Sequence, residues 1–227
     1  EIAYVISNRP DAPGLDYAEE RGIPIEVIDH TRFAGRPGFE AALTDSLTSA
    51  GVELVCLAGF MRVLTAEFVD QWANRILNIH PSLLPAFPGM DAHEQVLESG
   101  VRMTGCTVHV VTEEVDAGPI VTQEAVPVYE DDGVDDLKER VLYDGEFTAY
   151  PRAVRWFAED RVSVDRAAET VDIEGDTGGD FPQRRLVDDD LADTLRYGEN
   201  PHQEAAVYAD GTCEEANVVS APQLNEG

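Results

Sequence analysis

Positive charge is what this chain has least of. Lys138 is the only lysine among 227 residues, and lysine and arginine together number 16 against 45 acidic residues, for a formal charge of −29. A nucleic-acid partner gripped through a basic face is excluded on that balance, because phosphate binding depends on clustered lysine and arginine. Cysteine is scarce too: Cys56, Cys106 and Cys213 are odd in number and widely spaced, so they form neither a disulfide framework nor a metal site. They read as buried apolar positions in a reducing compartment, the cytoplasm. No apolar run reaches the roughly 18 residues a membrane span requires, no signal peptide is visible, and no internal repeat is found. The first residue is Glu1 rather than Met, so the natural start is expected upstream.

What is present is enough for a core. Hydrophobic residues make up 43% of the chain, and the acids are interspersed among periodic apolar segments instead of gathered in a tail, so they coat a folded surface. An acid-rich, nearly lysine-free surface resembles those of proteins from highly saline cytoplasm, a halophilic pattern in which salt screens the self-repulsion.

Strand and helix signals alternate through residues 1–165. Almost continuous apolar runs at 1–7 and 53–59 read as parallel strands covered on both faces, with further strands at 24–28, 75–79, 107–111 and 120–126. Between them Phe39, Leu43 and Leu47 recur at helical spacing, Thr65 stands as an N-cap, and Asp91 with Glu94 has the form of a capping box. An amphipathic stretch from Leu137 to Phe157 carries break signals at Asp144-Gly145 and at Pro151. The expected fold is α/β: a doubly wound, mostly parallel, Rossmann-like sheet. Residues 166–189 read as an acidic linker, and residues 190–227 as the start of a second ordered unit.

The most informative stretch is Asn78-Ile79-His80-Pro81-Ser82-Leu83-Leu84-Pro85, where a strand runs into a loop. Asn78 and His80 lie two residues apart and so leave one face of the strand at its C-terminal tip, where open α/β sheets keep their active sites. A carboxamide can donate to a developing oxyanion, and an imidazole can hold or pass a proton near neutral pH. Acyl or formyl transfer to an amine needs both. An isolated N-x-H is more often a turn cap and a structural histidine, so the pair depends on its surroundings.

Those surroundings supply more motifs. AGFMRVL (58–64), NIHPSLLPAFPG (78–89), GCTVHVV (105–111) and VDAGPIV (115–121), in that order, resemble the folate-dependent glycinamide ribonucleotide formyltransferases of purine synthesis. The resemblance implies a catalytic trio of Asn78, His80 and Asp116, in which a carboxylate beside the imidazole favours its charged form. It implies a binding site for the cosubstrate 10-formyltetrahydrofolate, with no metal, made by Phe60, Met61, Arg62, Val63 and Leu64 and by Thr112, Glu113, Glu114, Val115 and Ala117. It places Glu146 near the acid that binds the substrate ribose, although the spacing around Gly145 differs from the family pattern by about one residue. His93 and His109 are read as structural or supporting. The opening EIAYVISN aligns with the family's second strand, so the phosphate-binding turn is expected to be missing and an inner sheet edge to be unpaired.

The tail LRYGENPHQEAAVY resembles the start of the transformylase domain of AICAR formyltransferases, with Arg196 and Tyr197 on substrate-phosphate positions and His202 in the same motif. The expected partners are therefore small molecules, glycinamide ribonucleotide and AICAR in a two-enzyme fusion, with no nucleic acid and no membrane; a homodimer stays open. Formyltetrahydrofolate deformylase, methionyl-tRNA formyltransferase and an inactive folate-binding fragment are the alternatives.

Overall fold

The computed structural model describes residues 2–175 and 217–221. Its strands are β1 (Tyr4–Ser7), β2 (Ile25–Val27), β3 (Leu54–Ala58), β4 (Ile76–His80), β5 (Met103–Val110), β6 (Ile120–Pro127), β7 (Val162–Asp165), β8 (Thr170–Ile173) and β9 (Asn217–Ala221). Its helices are α1 (Pro13–Glu20), α2 (Arg36–Ser49), α3 (Ala66–Gln71), α4 (Ala92–Ser99), α5 (Val134–Arg140) and α6 (Phe147–Ala158). Seven strands form one sheet in the order β2-β1-β9-β3-β4-β5-β6. Strands β1 to β4 and β6 run one way, while β5 and β9 run against them. The expected doubly wound sheet is present.

Side-chain alternation explains why both faces of the sheet are covered. Neighbours such as Val5 and Ile6, Val55 and Cys56, or Ile76 and Leu77 point to opposite faces, and all six are buried. One face packs under α2 and α3, where Phe39, Leu43 and Leu47 recur at helical spacing and meet Phe68, Trp72 and Ile76. The other carries Leu15, Val96, Leu137, Tyr150, Ala153 and Trp156. Each such leucine contributes about 1.5–3 kcal/mol by leaving water. Tyr150 does more than fill space: its hydroxyl reaches the carbonyl oxygens of Leu57 (2.7 Å) and Leu77 (3.1 Å), tying β3 to β4 one residue short of Asn78.

Four details differ from the sequence expectation. The inner position between β1 and β3, expected to be unpaired, is occupied by β9, which pairs with both strands antiparallel. The hairpin of β7 and β8 runs to Ile173, eight residues into the stretch read as linker, because Val162, Val164, Val171 and Ile173 alternate and pack on the core. Asp91 occupies the N-cap position of α4 in a left-handed conformation (φ 58°) and its side chain caps nothing, so the capping box does not form. The break expected near Asp144-Gly145 is instead a π-helical turn, Val141–Glu146, running continuously from α5 into α6, with Pro151 inside α6. Arg196, Tyr197, His202 and Cys213 lie outside the described residues.

Candidate functional site

The C-terminal ends of β3 and β4 open into a cavity of about 560 Å³. Asn78 and His80 stand on its wall with Asp116 opposite, as the N-x-H reading requires. His80 is buried, and its two ring nitrogens face two acceptors: Nε2 lies 2.8 Å from the Phe87 carbonyl oxygen and Nδ1 lies 3.3 Å from Asp116 Oδ2. The Phe87 carbonyl can only accept, so Nε2 is the nitrogen that carries hydrogen, and Nδ1 is turned to the Asp116 carboxylate. Asp116 is fixed in turn. Its Oδ2 accepts from the Gly89 backbone N–H at 2.8 Å, and its own backbone sits at φ 55°, a left-handed conformation that aspartate tolerates better than most residues. Gly118 holds the same loop down: a Cβ there would stand 1.8 Å from the Val110 carbonyl oxygen, so no larger residue permits this approach.

Asn78 is oriented from the neighbouring strand. The antiparallel register of β4 and β5 sets Asn78 opposite His109 and His80 opposite Thr107. Burial holds the His109 pKa below its ordinary value, with Asp116 opposing, so His109 is a neutral ring. Its Nδ1–H then donates to the Val110 carbonyl (3.3 Å), leaving Nε2 to accept from Asn78 Nδ2 at 3.2 Å. The 3.8 Å approach of His109 Nε2 to Asp116 Oδ1 is accordingly a contact and not an ion pair. Thr107 donates to the Ser82 carbonyl (2.7 Å) and accepts from Leu84 N (3.0 Å) and Gln123 Nε2 (2.9 Å), which shapes the loop after His80.

The far wall comes from α5 and the π turn, through Asp135, Lys138, Leu142 and Glu146. A π turn accommodates one more residue than an α turn of the same span, and Glu146, the last residue of this one, lines the cavity. Gly145 makes room, since a Cβ there would lie 3.2 Å from Cys106 Sγ. Part of Glu146 opens on the cavity, yet protein surrounds its carboxyl, and burial pushes its pKa up to about 7 with Lys138 opposing. The chain's one lysine thus stands beside the one pocket acid with a raised pKa. His93, on α4, also lines the cavity; burial lowers its pKa, and among the described residues nothing hydrogen-bonds its Nε2.

Phe60, Met61, Arg62, Val63, Leu64, Thr112, Glu113, Glu114 and Val115 all line the cavity, whereas Ala117 is exposed and does not. Met61, Val63, Met90 and Val115 are large apolar side chains left open to solvent at its mouth, which suits a flat, apolar ligand. Sequence reasoning read His109 as supporting without its partner Asn78, and missed the Phe87 carbonyl against His80, the Gly89 N–H bonded to Asp116 and the electrostatic pull of Lys138 on Glu146. Only the antiparallel register signals the first. Among the described residues no group of His, Cys, Asp and Glu is placed to hold a metal ion.

A doubly wound sheet that gathers an amide, an imidazole and a carboxylate around one strand tip defines a group-transferring α/β enzyme. Residues 1–154 match the family described as formyl transferase, and the chain belongs to that family. Residues 155–227 match a second description, AICARFT/IMPCHase bienzyme, whose first matched residues fall inside α6 of the first fold. The chain is similar to the phosphoribosylglycinamide formyltransferase of Escherichia coli (strain K12), 40% identical over 171 residues, covering 75% of this chain and 80% of that one. It is 52% identical over 169 residues to the trifunctional purine biosynthetic protein adenosine-3 of Gallus gallus, covering 74% of this chain but 17% of that protein's length. Among solved structures, glycinamide ribonucleotide transformylase 1 from Symbiobacterium toebii superposes with a TM-score of 0.72 at 50% identity, over 75% of this chain and 79% of that one.

Proposed function

We propose that this protein transfers a formyl group from 10-formyltetrahydrofolate to the amine of glycinamide ribonucleotide. The observation that supports the reading is the Asp116–His80–Phe87 arrangement, which holds an imidazole between a carboxylate and a carbonyl beside Asn78 in the cavity. When the amine attacks, the formyl C=O π bond becomes an oxyanion. Asn78 offers it an N–H, and a protonated His80, with Asp116 as its counter-charge at 3.3 Å, would lower its energy through its charge. Asp116 takes the proton the amine sheds, directly or through a water. That proton passes to the departing folate nitrogen as the tetrahedral carbon collapses, so the ledger of protons closes. Phe60 to Leu64 and Thr112 to Val115 hold the cosubstrate, and Glu146 binds the ribose.

The match over residues 155–227 supports a second transfer, to AICAR, in the whole protein, with Arg196 and Tyr197 on its phosphate. The net charge of −29 supports a cytoplasmic surface adapted to high salt. The same charge weighs against a tRNA acceptor. Formyl transfer from 10-formyltetrahydrofolate to glycinamide ribonucleotide, to initiator tRNA and to water, measured side by side, tests the reading. Transfer to the ribonucleotide must exceed the other two; hydrolysis as the dominant reaction overturns it.

A further inference from the structure

One face of α2 is turned toward the loop that forms the cavity's upper wall. Residues 59–65 leave the end of β3 with no regular hydrogen bonding of their own before α3 begins. Three residues of α2, spaced i, i+3 and i+4, meet that loop along its length. Arg36 Nη1 donates to the Val63 carbonyl oxygen at 3.1 Å. The Phe39 ring lies 5.6 Å from the Arg62 guanidinium, close enough for a cation–π contact. Glu40, only 4% exposed, accepts from the Thr65 backbone N–H at 3.0 Å and from the Thr65 hydroxyl. Thr65 in turn caps α3 through Phe68 N.

A buried carboxylate is costly unless its bonds are made, and here both bonds described end on one residue at the loop's exit. Phe39, beside Glu40 on the helix, packs into the apolar cluster of Leu43, Leu47, Phe68 and Trp72, so the Glu40 carboxylate borders a hydrophobic core. The loop residues themselves, Phe60 to Leu64, line the cavity.

We propose that Arg36, Phe39 and Glu40 form a clamp that holds the loop Phe60–Leu64 in its ligand-binding shape, making them positioning residues for the folate cosubstrate. This rests on the reading of that loop as the folate wall. A loop released from the clamp samples other shapes, and apparent affinity falls by the fraction of time spent in the competent one. The loss falls on the folate side alone, since α2 lines no part of the cavity and makes no contact with Asn78, His80 or Asp116 among the described bonds.

The test uses Arg36→Met, an exposed change that leaves the core intact, beside Glu40→Leu and the conservative Glu40→Gln, which keeps an acceptor for the Thr65 N–H. Hydrogen exchange at residues 60–65 is read with the KM for each substrate and with kcat. Arg36→Met and Glu40→Leu are expected to speed exchange in the loop and to raise the folate KM by about tenfold. The ribonucleotide KM and kcat stay within about twofold of wild type, and Glu40→Gln recovers much of the loss. Unchanged exchange and folate KM in a folded Arg36→Met variant overturn the clamp, as does an equal rise in both KM values. A wild-type protein that binds no folate overturns instead the assignment of the loop, and the function proposed above with it.

Discussion

Glu146→Gln should stabilise the protein at high pH and leave it unchanged at low pH. The carboxyl is pushed from an ordinary 4.5 to about 7 by burial, against the attraction of Lys138. Between those two values the unfolded chain carries Glu146 ionised while the folded one keeps it protonated. The folded state then binds more protons, so stability declines as pH rises through the window. At about 1.4 kcal/mol per pH unit the full cost above pH 7 is at most about 3.5 kcal/mol. Glutamine has the same shape and no charge, so it removes the penalty. The assay is the melting temperature of both proteins from pH 4.5 to pH 8.5. Titration of the other acids cancels in the difference. Near pH 4.5 the two curves should meet, and above pH 7 the variant should melt several degrees higher, since about 1 kcal/mol moves a domain of this size by roughly 2–4 °C. Lys138→Met should widen the gap by removing the attraction that now favours the ionised form. Parallel curves, offset equally at every pH, would show that Glu146 is not buried as described and that the π turn does not place it in the cavity wall.

Three further outcomes are expected. Asp116→Asn removes the carboxylate that stands 3.3 Å from His80 Nδ1, so single-turnover formyl transfer should slow by roughly 10²-fold or more, and an unchanged rate would mean that Asp116 takes no part in the chemistry. Tyr150→Phe strips a buried hydroxyl from the Leu57 and Leu77 carbonyls and should cost about 1–3 kcal/mol in urea unfolding, whereas a loss near zero would mean the two strand ends hold without it. Melting temperature should climb from low salt toward molar KCl as screening relieves repulsion among 45 acidic residues, and a flat or falling curve would contradict the salt-adapted reading.

Much of the fold was readable because both local signals and burial point the same way. Continuous apolar runs became the buried β1 and β3, the Phe39, Leu43 and Leu47 spacing became α2, and Thr65 does cap α3. Two motif glycines are compelled by contact, Gly105 in β5 and Gly118 after Asp116, each leaving only 1.8 Å between a would-be Cβ and a backbone oxygen, which is why the sequence carries them as markers. What stayed hidden depends on partners distant in sequence. His109 supports Asn78 only because β5 runs antiparallel to β4, an orientation that no pattern within either strand encodes. The contacts of α2 with the loop join residues about 25 positions apart, and no local pattern marks Glu40 as a buried acid. Asp91 shows the converse, a capping-box pattern overruled by a left-handed backbone.

The central claim is that His80, held between Asp116 and the Phe87 carbonyl, promotes formyl transfer at the tip of β4. Single-turnover formyl transfer to glycinamide ribonucleotide, followed with the folate dissociation constant in wild type and His80→Ala, tests it most directly. The account predicts a rate lower by roughly 10²–10⁴-fold with folate affinity nearly unchanged. Equal rates in the two proteins, or a loss traced wholly to weaker folate binding, would contradict it.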